Sequence, residues 1–149
     1  KTFYMGLFDK LQQNRMDKIN KEKEEGKTFM DANSSAEGVQ TLPNGIQYKI
    51  LEEGTGEKPH VSDKIKAHYA GRLINGKEFD NSFKRGQPFE ARITQLIKGW
   101  QEVLPLMPTG SKWRLWIPSN LGYGDNGAPP SIPGGAVLEF DIELIQILK

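Results

Sequence analysis

The texture of this sequence changes once, near residue 41, and that change limits what the chain can fold into. Residues 3–33 contain no proline and are rich in Lys, Glu, Gln, Met and Leu, residues that lose little on entering a helix. From Thr41 onward Gly and Pro become frequent, and short runs alternate apolar with polar, the period of a strand. The expected organisation is a helical arm over residues 1–38 and one globular domain over 39–149. A chain of 149 residues has room for one domain and an appendage, not for two full domains.

In the arm, Phe3, Leu7, Phe8 and Leu11 recur at helical spacing and give the first half an apolar face. Asn20 to Thr28 (NKEKEEGKT) has no apolar residue, so it reads as a solvated bridge. Phe29 and Met30 resume apolar contact just before the stop signals Asn33-Ser34-Ser35 and Gly38. A lone helix has no other way to bury Phe3, Tyr4, Leu7, Phe8 and Leu11 than against a second chain. The expectation is a homodimer formed through this helix.

Beyond the arm, four alternating series predict strands: Ile46, Tyr48, Ile50; Ile65, Ala67, Tyr69; Trp113, Leu115, Ile117; and Leu138, Phe140, Ile142, Leu144. Lys98 to Leu104 (KGWQEVL) is the single short helical candidate, stopped at Pro105. The fold class is α+β, an antiparallel sheet wrapping its apolar face onto one short helix. Trp113 and Trp116 are assigned to the core, Trp116 partly exposed on the opposite strand face.

Several chemistries find no support. Residues 1–38 hold seven basic and seven acidic side chains and residues 39–149 thirteen and twelve, so neither part has the basic excess that binds nucleic acid. Cysteine is absent, which removes disulfides, thiolate nucleophiles and cysteine-ligated metal. His60 and His68 have no ligand pattern around them, and no serine is placed beside a histidine and a carboxylate. Gly54-Thr55-Gly56 lacks the third glycine and the helix of a phosphate loop, and Gly110-Ser111-Lys112 has the wrong order for one. No metal and no cofactor are expected. No stretch approaches the roughly 20 apolar residues of a membrane span. The chain opens on Lys1 rather than methionine, so it is expected to have been processed or trimmed.

What remains is a concentration of aromatic residues in the second half, and here six segments resemble FKBP domains in order and spacing. They are His68–Gly71 (HYAG), Gly76–Ser82 (GKEFDNS), Arg85–Phe89 (RGQPF), Leu96–Trp100 (LIKGW), Leu121–Gly124 (LGYG) and Ile132–Phe140 (IPGGAVLEF). The arm and its exit, Glu25 to Val39 followed by Thr41-Leu42-Pro43-Asn44-Gly45, resemble the subfamily of the macrophage infectivity potentiator and FkpA. The resemblance implies a half-barrel sheet around the short helix, a peptidyl-prolyl cis-trans isomerase activity and a shallow pocket for a prolyl ring. It puts Trp100 at the floor, with Tyr69, Phe79, Phe89, Leu96, Ile97, Tyr123, Ile132 and Phe140 around it. Asp80 becomes the rim carboxylate and Arg85 the basic residue that orients it, while the Ile97 N–H and the Tyr123 hydroxyl meet substrate carbonyls. It also implies proline-containing polypeptides as partners, inhibition by rapamycin-type macrolides, a dimer made by the N-terminal helices, and a periplasmic or envelope location, with the cytoplasm as the alternative. A client-holding chaperone or dimeric adaptor using the same pocket is the alternative. The short Gly124–Ala136 loop lacks the insertion of some bacterial relatives. Gly122, Ala91 and the pair Gly134-Gly135 depart from the family pattern.

Overall fold

The structure, a computed structural model, describes residues 6–149; the expectations for Phe3 and Tyr4 lie outside the described residues. The arm is one α-helix, α1 (Leu7–Asn33), ending where Ser34 N–H donates to Met30 O. Leu7, Phe8 and Leu11 stand 74%, 71% and 58% exposed, an apolar face with nothing against it among the described residues.

Seven strands follow: β1 (Gln40–Thr41), β2 (Gln47–Glu52), β3 (Lys64–Leu73), β4 (Glu78–Asn81), β5 (Phe89–Arg92), β6 (Lys112–Ile117) and β7 (Leu138–Leu148). All pair antiparallel in the order β1-β2-β6-β7-β3-β4. β5 also pairs with β3, taking Lys64–Ala67 while β4 takes Ala70–Arg72. The two short strands therefore share one edge of β3. They are interrupted by a single helical turn, α2 (Ser82–Arg85), that bulges from it. The predicted helix is α3 (Lys98–Val103), which tightens into a 3-10 turn at Leu104–Leu106 as Pro105 enters.

Alternation puts Ile65 and Ala67 of β3, Leu115 and Ile117 of β6, and Leu138, Ile142 and Leu144 of β7 on one fully buried face. Val103, Leu104 and Met107 fill the space between that face and α3. Burying each such side chain is worth about 1.5–3 kcal/mol, so this face holds the sheet curved over the helix. Gly99 lets α3 lie close: a Cβ there would stand 2.6 Å from Ile117 Cγ2.

The opposite sheet face is tied by ions. Arg114 clasps Asp141 with Nε at 2.7 Å and Nη2 at 3.0 Å, and Arg72 reaches both Glu139 (2.7 Å) and Asp141 (3.2 Å). Glu139 also accepts the Trp116 indole N–H at 2.7 Å.

Two expectations are corrected. Trp116 is buried at 5% exposure rather than partly exposed. Its cross-strand partner Gln47 is buried as well, donating to Met30 O (2.8 Å) and accepting from Asn33 (2.8 Å) at the end of α1. Nor does Asn20–Thr28 stand clear of the domain: most of it is exposed, as expected, but it touches the domain at two points. Gly26 is buried against Val137, where a Cβ would come within 2.7 Å of a methyl, and Lys23 pairs with Asp125 at 2.7 Å. The helix docks through the apolar side chain of Ile19 and through the bare backbone of Gly26.

Candidate functional site

The open end of the curved sheet forms a cup of about 400 Å³. Tyr69 comes from β3, Phe79 and Asp80 from β4, Phe89 from β5 and Phe140 from β7. Leu96 and Ile97 precede α3, whose first turn supplies Trp100, and the loop between β6 and β7 supplies Tyr123 and Ile132. Ten of the eleven residues named from the sequence therefore line one cavity; Arg85 is the eleventh and stands outside the lining.

The aromatic rings meet edge to face. Tyr69 and Phe140 each lie 5.1 Å from Trp100 between centroids, inclined at 77° and 85°, and Phe79 meets Phe140 at 5.7 Å and 89°. Such contacts place positive ring edges on negative faces and fix the orientation of each ring in the wall. Gly71 makes room for this packing. A Cβ at that position would fall 2.6 Å from Phe79 and 2.8 Å from Phe140.

A polar cluster marks one side. The Tyr69 hydroxyl and the Arg85 guanidinium both donate to Asp80, and the Asn81 N–H adds a third bond at 2.9 Å. Burial pushes the Asp80 carboxyl up, but these donors outweigh it and hold the group below its ordinary range. Burial, with the bond to Asp80 adding to it, drives the Tyr69 phenol up to about 12. Asp80 is thus a fixed anion and Tyr69 a fixed donor. Arg85 reaches Asp80 because Asn81 caps α2 through Lys84 N–H (3.1 Å) and Gly86 closes the turn at φ 71°, a conformation that favours glycine. Buried Ser82 anchors the turn to β3, its Oγ accepting the Tyr69 N–H at 2.7 Å.

Three donors of the site make no hydrogen bond among the described residues: the Trp100 indole N–H, the Ile97 N–H and the Tyr123 hydroxyl. The last two stand at the cup, available to acceptors on a bound chain. Ala128 and Ser131 also line it and were missed from the sequence, small residues in a loop giving no apolar signal. Among the described residues no group of three or more His, Cys, Asp or Glu could hold a metal ion. His68 Nδ1 lies 2.8 Å from Ser82 Oγ and its ring stacks on Phe83, outside the lining.

A curled antiparallel sheet over one short helix, with an aromatic cup at its open end, defines an α+β half-barrel protein whose site is lined mainly by apolar rings. A family profile described as FKBP-type peptidyl-prolyl cis-trans isomerase matches residues 55–145, and one described as the domain amino terminal to it matches residues 1–50. The chain belongs to the FKBP-type peptidyl-prolyl cis-trans isomerase family. It is similar to the peptidyl-prolyl cis-trans isomerase Mip of Coxiella burnetii, 44% identical over 85% of this chain and 55% of that protein. It is also similar to the outer membrane protein MIP of Legionella longbeachae, 42% identical over 89% of this chain and 57% of that protein. FkpA from Escherichia coli superposes with a TM-score of 0.87 at 38% identity, covering 91% of this chain and 63% of its own. The chain spans about half the length of the curated relatives it matches.

Proposed function

We propose that the chain accelerates rotation about X–Pro peptide bonds in polypeptides, with the cup over Trp100 as the site. The observation that carries this is a preformed apolar cavity of about 400 Å³, floored by a buried indole and rimmed by unpaired donors.

Resonance gives the C–N bond double-bond character, and rotation faces a barrier of about 18–20 kcal/mol. The planar amide carries negative charge on its carbonyl oxygen, which water stabilises. At the twisted geometry conjugation is broken and that charge falls. A dry aromatic cup therefore disfavours the planar form more than the twisted one. A millionfold acceleration needs about 8 kcal/mol of such difference, and no covalent intermediate is required.

Trp100 supplies a flat surface for the pyrrolidine ring, and Tyr69, Phe79, Phe89 and Phe140 keep water from the bond. Leu96 and Ile132 close the sides. The Ile97 N–H and Tyr123 hydroxyl hold carbonyls of the flanking chain, which sets register. Asp80 fixes Tyr69 in place, and Arg85 fixes Asp80. An anion held this firmly is a poor proton acceptor, so Asp80 orients rather than transfers.

The arm, residues 1–38, is proposed as the dimerisation element and residues 39–149 as the isomerase domain. Exposed Leu7, Phe8 and Leu11 support this reading. Rapamycin-type macrolides are expected to compete for the cup. The name of the Legionella relative supports an envelope location, and no helix of the described residues is long and apolar enough to cross a membrane.

Protease-coupled isomerisation of a proline tetrapeptide tests the assignment. Phe79→Ala opens the wall and is expected to lower kcat/KM by about tenfold or more, the equivalent of ~1.4 kcal/mol of transition-state stabilisation. Full activity in Phe79→Ala would place the chemistry elsewhere.

A further inference from the structure

The loop between β6 and β7 has two sides. Its inner side gives the cup Tyr123, Ala128, Ser131 and Ile132. Its outer side lies against α1, where Ile19 is buried to 4% exposure. Arg15 donates to Asn126 at 2.8 Å, and Lys23 pairs with Asp125 at 2.7 Å. Both polar contacts are exposed, and exposed pairs contribute little, so the burial of Ile19 supplies most of the hold.

The Gly134-Gly135 pair makes this contact possible. A Cβ on Gly135 would stand 2.8 Å from the Ile19 carbonyl oxygen. One on Gly134 would stand 3.1 Å from Ile19 Cγ1 and collide with Asp125 O at 1.9 Å. The loop folds back on itself to bring its two sides together: Gly135 N–H donates to Gly124 O (2.9 Å), and Ala128 and Ile132 exchange hydrogen bonds at 2.9 and 3.0 Å. A push on the outer side is therefore transmitted over a few residues to Tyr123 and Ile132.

We infer that α1 is a brace for the cup, and that Ile19, seated on Gly134-Gly135, is a positioning residue that holds Tyr123 and Ile132 in register with Trp100. The arm then does more than carry the domain: it sets how tightly a bound chain is held. The kinetic part of this inference rests on the isomerase reading; the structural part does not. Because Tyr123 and Ile132 grip the substrate while the floor stays in place, loosening the brace raises KM more than it lowers kcat.

The test compares the full chain with Ile19→Asp, Ile19→Ala and Ile19→Leu, by amide hydrogen exchange and by steady-state kinetics on a proline tetrapeptide. In Ile19→Asp the Gly127, Ala128, Ile132 and Gly135 amides are expected to exchange faster by about tenfold, with β3 and β7 unchanged. KM rises about three- to tenfold with kcat nearly constant, a size typical of coupling through packed neighbours. Ile19→Ala shows the same pattern more weakly, and Ile19→Leu restores parent behaviour. Loop exchange equal to the parent in both Ile19→Asp and Ile19→Ala overturns the brace. So does acceleration spread evenly over loop and sheet in both, or faster loop exchange with KM unmoved in an active chain. An inactive parent chain would instead count against the isomerase reading, and the exchange experiment would still decide the brace.

Discussion

At the residue scale, Asp80 and Tyr69 carry opposite pressures that leave both in one state across the neutral range. Three donors hold Asp80 charged, and burial with the Asp80 bond holds Tyr69 protonated up to about 12. The sign follows directly: a lowered carboxyl is ionised at every pH above its ordinary value near 3.8, and a raised phenol is neutral below its own. kcat/KM is therefore expected to be flat between about pH 5 and 9, falling only as acid protonates Asp80 and removes the acceptor for Tyr69 and Arg85. Asp80→Ala is expected to lower kcat/KM moderately, about three- to tenfold, without bending that profile. A pH–rate measurement on parent and variant checks both; a bell centred near neutrality would mean that a titrating group takes part. The role of Gly71 shows what residue-level reading of the sequence lacks. Nothing in HYAG reveals that the glycine exists to let Phe79 and Phe140 meet, since those rings come from other strands.

At the scale of elements, β3 and β7 carry the domain, and their outer faces are joined to β6 by the Arg72, Arg114, Glu139 and Asp141 ladder. Burial pushes the Asp141 carboxyl up, yet the two guanidinium groups beside it bring it below the ordinary range. A carboxyl lowered on folding adds stability above its unfolded pKa of about 3.9 and loses it as pH falls through the folded value. Asp141→Asn is expected to cost about 1–3 kcal/mol at pH 7, because it strips two arginines of an anion. That difference should shrink as the pH falls below the ordinary carboxyl range, and thermal melts of both proteins over an acid-to-neutral series read it out. The long strands were legible because four alternating apolar positions in β7, and three in β3 and β6, leave one face choice. β4 and β5 were not, being four residues each with no repeat to count. α2 is a single turn held by the Asn81 cap, too short for any helical period. The residues these elements carry, Phe79, Asp80, Arg85 and Phe89, were reached only through family motifs. The docking of α1 escaped the reading because Ile19 is a lone apolar residue with no helical repeat around it, and a count of apolar side chains cannot register the close approach at Gly26.

At the scale of the whole molecule, the arm has two unequal halves. From Ile19 to Gly26 it lies on the domain, whereas Leu7, Phe8 and Leu11 present apolar surface to solvent. Such a face, with no partner among the described residues, favours a second copy, which would join two cups through two braced arms. Light scattering over a concentration series is expected to give twice the 16.8 kDa of one chain, reverting to one on Leu7→Glu with Leu11→Glu. A monomeric mass for the parent at all concentrations would remove the dimer and leave the cup untouched. What the cup does depends on one physical claim, that the amide is turned by exclusion of water and not by movement of a proton. The solvent deuterium isotope effect on kcat/KM for a proline tetrapeptide tests this most directly. The account predicts a ratio near unity in H2O over D2O, and a normal effect of about twofold or more would contradict it.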